Sequence, residues 1–207
     1  NGAMPPASRL SEAEVEASPL FRGLSRSAER VDRERMLQAV RRRAASGELA
    51  GDYAGLRELI IDVAMEPYVA PTRSGRTVIN DYPELRSSAV ELLGWWGDLP
   101  SRDALLELLK REGRTQVLLS ALDALSSHIY TPADRAAPAL LDALSRWSGD
   151  PGEEAIAAAA LHVMSSFSRG HGHSSAELYG YVARRNLPEE TRKRALTLLR
   201  THFEKGR

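Results

Sequence analysis

The sequence predicts an all-α chain, an α-solenoid of stacked antiparallel helix pairs, and three observations carry that prediction. One short phrase is written four times, as Ala89-Val-Glu-Leu-Leu-Gly, Ala121-Leu-Asp-Ala-Leu-Ser, Ala160-Leu-His-Val-Met-Ser and Ala195-Leu-Thr-Leu-Leu-Arg, with starts 32, 39 and 35 residues apart. Self-similarity at that period marks stacked repeats, because one unit buries its apolar face only against its neighbours. Apolar residues elsewhere recur at helical spacing, and no alternating strand pattern interrupts them. Helix start signals recur too, at Asp81-x-x-Glu84, Thr131-Pro-x-Asp134, Asp150-Pro-x-Glu153 and Ser174-x-x-Glu177, each matching or approximating a capping box.

Taken in order, residues 1–24 are rich in Pro, Ser, Ala and Glu without apolar periodicity and read as a flexible tether, leaving 25–207 as a single domain. Asn1-Gly-Ala-Met4 reads as an expression remnant, so a removed leader stays open. A first helix is expected from about Ser27 to Ser46, with Val31, Met36, Leu37, Val40 and Ala44 as its stripe. A second runs from Asp52 to about Glu66, apolar at Leu56, Leu59, Ile60 and Val63, and stopped by Pro67. The pairs 82–97 with 101–112, 114–129 with 132–147 and 151–168 with 174–186 follow, and a last helix covers about 188–204. Short linkers make these neighbours antiparallel. On the aligned wheel Ala89, Ala121, Ala160 and Ala195 share one position, a small residue where two helices approach closely. A leucine at Ala121 should overpack that contact by roughly 1–3 kcal/mol.

The unit Pro83-Glu-Leu-Arg-Ser-Ser-Ala-Val-Glu-Leu-Leu-Gly-Trp-Trp-Gly-Asp98, followed by Ala104-Leu-Leu-Glu-Leu-Leu, resembles a HEAT repeat of the bacterial, phycobilisome-lyase-like kind. Arg86, Ala89, Leu93, Gly94 and Asp98 match that family's pattern. The later copies are looser: the second lacks the glycine, and the third has Glu154 or Ala155 where the arginine would sit. The resemblance covers about 82–204, with 28–66 as a further candidate unit that fits the pattern poorly. It implies a HEAT-like superhelix whose second helices line a concave, partner-binding face, and it is nearly silent on which partner.

Composition narrows the function classes. The 207 residues are 43% hydrophobic, and no run approaches the eighteen apolar residues of a membrane span. There is no cysteine, which excludes disulfides, cysteine-ligated zinc and thiol catalysis. Net charge is zero, but residues 22–43 and 184–207 each carry eight bases against three acids, while 44–183 carry eleven bases against nineteen acids. Basic ends around an acidic middle bear on how partners are steered, not on fold. The cytoplasm is the favoured compartment.

Trp95-Trp96 is the most conspicuous pair. Trp96 shares its wheel position with His128, Phe167 and His202 and is expected to face the core. Trp95 shares its position with Ser127, Ser166 and Thr201, so it is an aromatic where the repeat expects solvent, as an interface anchor would be. Packing on the preceding helix or the 67–80 loop is the competing reading. His128, aligned with aromatics, reads as a packed, hydrogen-bonded ring. His171-Gly-His173 with His162 reads as turn composition more than as a metal site, since zinc wants three or four ligands.

The segment 67–81 is the longest interruption, and Thr72-Arg-Ser-Gly-Arg-Thr77 offers two arginines and three hydroxyls suited to an anion. It is not a Walker loop, lacking the second glycine and the lysine. The basic blocks Arg41-Arg42-Arg43, Arg184-Arg185 and Arg192-Lys193-Arg194 suit phosphate contact or the solubility of outer faces. No catalytic motif is present, and the carboxylates fall at solvated helix positions and caps.

The expected function is therefore a non-enzymatic scaffold that binds another protein without a cofactor or metal. Arg102, Lys110, Arg135 and Arg146 on second helices would make the contact, flanked by Trp95 and by Arg73 and Arg76. Two alternatives stay open: a nucleic-acid binder or HEAT-like DNA glycosylase using the basic end helices, and small-molecule or chromophore handling of the lyase-like kind. Nucleic acid is the less favoured partner because the centre is acidic.

Overall fold

The computed structural model describes residues 30–46, 54–128, 133–167 and 173–205, the side chains of 54, 133, 134, 173, 174 and 203–205 excepted. These residues form nine helices and one short hairpin. The helices are α1 (Arg30–Ala45), α2 (Ala54–Val69), α3 (Pro83–Trp96), α4 (Leu99–Arg111), α5 (Thr115–Ser126), α6 (Ala133–Arg146), α7 (Glu153–Ser166), α8 (His173–Arg184) and α9 (Glu189–Lys205). Strands β1 (Arg73–Ser74) and β2 (Thr77–Val78) lie between α2 and α3. The tether expected at 1–24, the Thr131-Pro132 start and His171 lie outside the described residues.

Two rows of contacts organise the helices. α1 packs on α3, α3 on α5, α5 on α7 and α7 on α9; α2 packs on α4, α4 on α6 and α6 on α8. The α3–α5 contact is the most extensive, and each row also packs on the other. One apolar core runs between the rows. Ala89, Ala121, Ala160 and Ala195 are all buried in it, each 0–1% exposed, as the shared wheel position requires. At Gly94 the α3 and α5 backbones come close: a Cβ added there would lie 3.0 Å from both Cα and Cβ of Ala124. Glycine is what this crossing tolerates.

Helix ends follow local chemistry, not always as the sequence suggests. Asp98 caps α4, its side chain accepting from the Ser101 N–H at 2.9 Å, after Gly97 has closed α3 in the left-handed region at φ 64°. Burial alone would raise the Asp98 carboxyl, but the Ser101 hydrogen bonds and Arg57 outweigh it and hold it below its usual value. The capping box expected at Asp81 does not form. Tyr82 is the N-cap and makes no side-chain cap bond, while Asp81 accepts from Arg86 and Arg114 at 2.9 and 2.8 Å. The capping box expected at Asp150 does not form either: Gly152 is the N-cap of α7 and makes no side-chain cap bond, while Asp150 accepts from the Gly152 N–H and Glu153, the first helical residue, accepts from the Gly149 N–H.

Three further corrections concern α1, α2 and the link that follows. Val31 is 52% exposed and lies off the α1 stripe; Arg33 takes a buried place and pairs with Glu66. Pro67 does not stop α2, which runs two residues further, and the Ala70 N–H closes the turn on the Glu66 carbonyl. In the last turn proline removes a single helical donor, which the surrounding packing tolerates. The link itself is a two-residue hairpin pairing Arg73 with Val78 and Ser74 with Thr77. Gly75 turns it at φ 60° ahead of Arg76, the pattern of a II′ turn. Asn80 bolts the base: its side chain accepts from the Thr72 N–H at 2.9 Å and donates to Glu66 and to the Ala70 carbonyl.

Candidate functional site

The even-numbered helices carry most of the surface that the sequence proposes for contact. The four basic side chains proposed on this row, Arg102, Lys110, Arg135 and Arg146, already hold intramolecular acceptors. Arg102 is only 6% exposed and donates twice to Asp103; Arg135, from α6, reaches the same carboxylate at 3.0 Å. Asp103 therefore stitches α4 to α6. Lys110 pairs with Glu107 one turn away, beside Arg111 on the same carboxylate. Arg146 donates to the carbonyls of Leu109 and Glu112 and contacts Asp142 at 3.3 Å. It thus closes the free carbonyls at the end of α4 with a cation, the favourable sign for a helix C-terminus. The residues brought together are Arg102 with Arg135; Arg73, Arg76 and Trp95 stand elsewhere.

Arg73 and Arg76 are exposed on the hairpin, where the Arg73 guanidinium donates to the Arg76 carbonyl at 3.4 Å. Among the described residues neither makes an ion pair. Trp95 is 55% exposed at the end of α3, while Trp96 is partly buried against the core. His128 is 4% exposed and bonded to the Leu93 carbonyl, and burial lowers its pKa. Its Nε2 has no partner, so the expected ring is packed but half satisfied. His162 is exposed on α7. Arg41 of the first basic block pairs with Glu91, Arg185 with Glu153 and Lys193 with Glu189.

The carboxylates are not all solvated, contrary to the sequence expectation. Glu112, just past α4, is 0% exposed and Arg86 on α3 is 1% exposed, and the two form a buried ion pair. Arg86 also donates to the Ala64 carbonyl at 3.0 Å and to Asp81, and lies 5.0 Å from the centre of the Tyr68 ring. Glu112 accepts in addition from the Tyr68 hydroxyl and from the Arg114 N–H. Burial works against the Arg86 cation, but Glu112 and its hydrogen bonds prevail and raise its pKa. Chemically this is a sealed structural hub. It ties α2, α3 and the α4–α5 connection into the frame that carries the even row.

A groove of about 470 Å³ opens on that row between α6 and α8. Pro138, Leu141, Asp142 and Ser145 line it from α6, and Glu177 and Tyr181 from α8. Positions 138, 141, 142 and 145 form a single stripe of α6, on the side away from buried Ala136, Ala137, Leu140, Ala143 and Leu144. Pro138 lies inside α6, where it presents an apolar ring to the groove. Tyr181 is half-buried, with the Arg185 guanidinium 5.6 Å from its ring centre. The lining mixes apolar Pro138, Leu141 and the Tyr181 ring with polar Asp142, Ser145 and Glu177, the usual composition of a recognition cleft. Of these six residues only Glu177 stood out in the sequence, and there as part of a helix start signal. The signal was Pro138 and Leu141, two apolar residues on the outer stripe of a helix whose core stripe is already complete.

Among the described residues no helix is long and apolar enough to cross a membrane. No protein-family model matches the chain, and no curated protein shows significant similarity to it.

Proposed function

We propose that the chain is a non-enzymatic α-solenoid of HEAT-like helix pairs that binds another protein along the row α2–α4–α6–α8. The α6–α8 groove is the observation that carries this reading. It combines apolar Pro138, Leu141 and the Tyr181 ring with polar Asp142, Ser145 and Glu177, and its α6 wall is braced on α4 through Asp103, Arg135 and Arg146. A site built on such braced helices is preorganised, so binding spends little on ordering the receptor. Trp95 and the 67–80 hairpin flank the row as further contacts, and the arginines and lysine of α4 and α6 act by holding the helices as well as by their charge.

The test is capture from nuclease-treated lysate of the source organism, comparing the parent with Leu141→Arg and Trp95→Ala. One defined protein retained by the parent and lost with Leu141→Arg supports the reading and locates the contact. A capture pattern indifferent to both substitutions refutes it.

A second reading, nucleic-acid contact, draws on Arg73 and Arg76, which have no acidic partner among the described residues. Binding of duplex DNA that falls steeply with salt and is lost with Arg73→Ala/Arg76→Ala would favour it.

A further inference from the structure

The repeated phrase puts α3, α5, α7 and α9 in register, and one flank of α9 breaks the pattern. The residue after the phrase's alanine is Val90, Leu122, Leu161 and Leu196 in turn; the first three are 0–1% exposed and Leu196 is 51% exposed. Three positions on, Leu93, Leu125 and Met164 are buried, whereas Leu199 is half-buried. One turn before, Arg86, Leu118 and Ala157 are buried, whereas Arg192 is exposed.

The close approach at Gly94 identifies what this flank does. Gly94 lies one turn beyond Val90 and meets Ala124, so the stripe through Val90 and Gly94 is the side that α3 turns to the next helix of its row. In α9 the same stripe reads Arg192, Leu196, Arg200, with Leu199 beside it. α9 packs on α7 and α8, and among the described residues no further helix of the row covers it. Its leucines stand where α3, α5 and α7 hold buried apolar side chains. We infer that this flank of α9 is a second docking surface, taken by an amphipathic helix of another protein that is apolar along its middle and acidic on either side. The surface is separate from the α6–α8 groove and does not depend on it.

Charge selects that occupant. Arg192 and Arg200 stand one turn before and one turn after Leu196, both exposed, and neither makes an ion pair among the described residues. Lys193 beside them is held by Glu189. The two arginines are separated by two helical turns, about 11–12 Å along the axis. A helix lying along α9, with glutamate four residues before and after a leucine, would seat the leucine on Leu196 and Leu199 and bring a carboxylate to each guanidinium. A second copy of this chain fits poorly. Head to tail, α1 would meet α9, and α1 carries six arginines against two acids while α9 carries five bases against three. About a two-fold axis at Leu196, each Arg192 would face the other copy's Arg200. Like charges oppose both arrangements. A terminal helix that served only as a cap would be polar here, and leucines at 196 and 199 are not.

The experiment uses the full chain and three capped, fluorophore-labelled peptides of equal length. One is a helix former with leucines on a single stripe and glutamates one turn to either side; the second has lysine for each glutamate; the third is a scramble of the first. Fluorescence anisotropy should show saturable binding of the acidic helix, with the other two weaker by about tenfold or more. Leu196→Ala should weaken the acidic helix about three- to tenfold, the share left to a leucine already half covered. Arg192→Glu/Arg200→Glu should reverse the order, so that the lysine peptide binds more tightly than the acidic one; a variant that gains a ligand has not lost its fold. Leu141→Arg should leave the acidic helix bound, although it abolishes partner capture under the scaffold reading, so the two readings fail separately. No saturable binding, or binding indifferent to both Leu196→Ala and the charge exchange, overturns the inference. So does a dimer in sedimentation that Leu196→Asp dissolves, which would make a second copy the occupant. Duplex DNA bound in place of the acidic helix, and lost with the charge exchange, overturns it as well.

Discussion

Replacing Gly94 by alanine sets two effects of known size against each other. In a helix interior alanine is favoured over glycine by about 0.8–1.0 kcal/mol. Against this, the new methyl group would sit 3.0 Å from Cα and Cβ of Ala124 and 3.4 Å from its carbonyl oxygen. Inserting a methyl into a filled contact costs about 1–3 kcal/mol. Two of the three obstructing atoms belong to the α5 backbone and cannot rotate away, which places the cost in the upper part of that range. The net expectation is a loss of about 1–2 kcal/mol, or roughly 2–8 °C in melting temperature for a chain of this size. Urea unfolding followed by circular dichroism, with the slope unchanged, measures it. Adding Ala124→Gly should recover only part of the loss, because the Ala124 Cα remains at 3.0 Å. A Gly94→Ala protein more stable than the parent by about 1 kcal/mol would show that α3 and α5 separate freely and that this crossing does not set the spacing of their row.

Two other perturbations follow from the buried polar groups. Arg86→Met strands the Glu112 carboxylate at 0% exposure and should cost about 3–5 kcal/mol, with part regained in Arg86→Met/Glu112→Gln; a urea double-mutant cycle measures both, and a loss under 1 kcal/mol for the single change would refute the hub. His128 has its pKa lowered by burial, so the unfolded chain takes up its proton first as pH drops. Its contribution to stability is full above the unfolded value of about 6.5 and is lost progressively as pH falls from there through the folded value. His128→Phe, which places at 128 the residue found at 167, should therefore flatten the stability profile between pH 7 and 5; an unchanged slope would assign that dependence to other groups.

The helical elements were legible because burial repeats with the helix period. The four Ala-centred phrases identified the buried stripes of α3, α5, α7 and α9, and all four alanines lie in the core. What escaped has no period. Arg86 and Glu112 are 26 residues apart, and only folding shows that one neutralises the other. Arg102 reads as a surface cation, yet Asp103 beside it supplies the acceptor that allows it to pack at 6% exposure. Pro67 reads as a stop, but proline breaks a helix by removing an internal bond, and two residues from the end there is one bond to lose. The groove escaped for a different reason: it belongs to two helices at once, and neither stripe is conspicuous until the other stands beside it.

The Arg86 hub has a mechanical consequence. Helices that touch mainly their neighbours in a row should peel away singly when a chain is pulled from its ends. Arg86 interrupts that order by fastening Ala64, Asp81 and Glu112, points spread over 49 residues, to one guanidinium. Under tension α2, α3 and α4 must yield together or not at all. A force–extension trace would then show one long step for this block, set apart from the shorter steps of the helices after it.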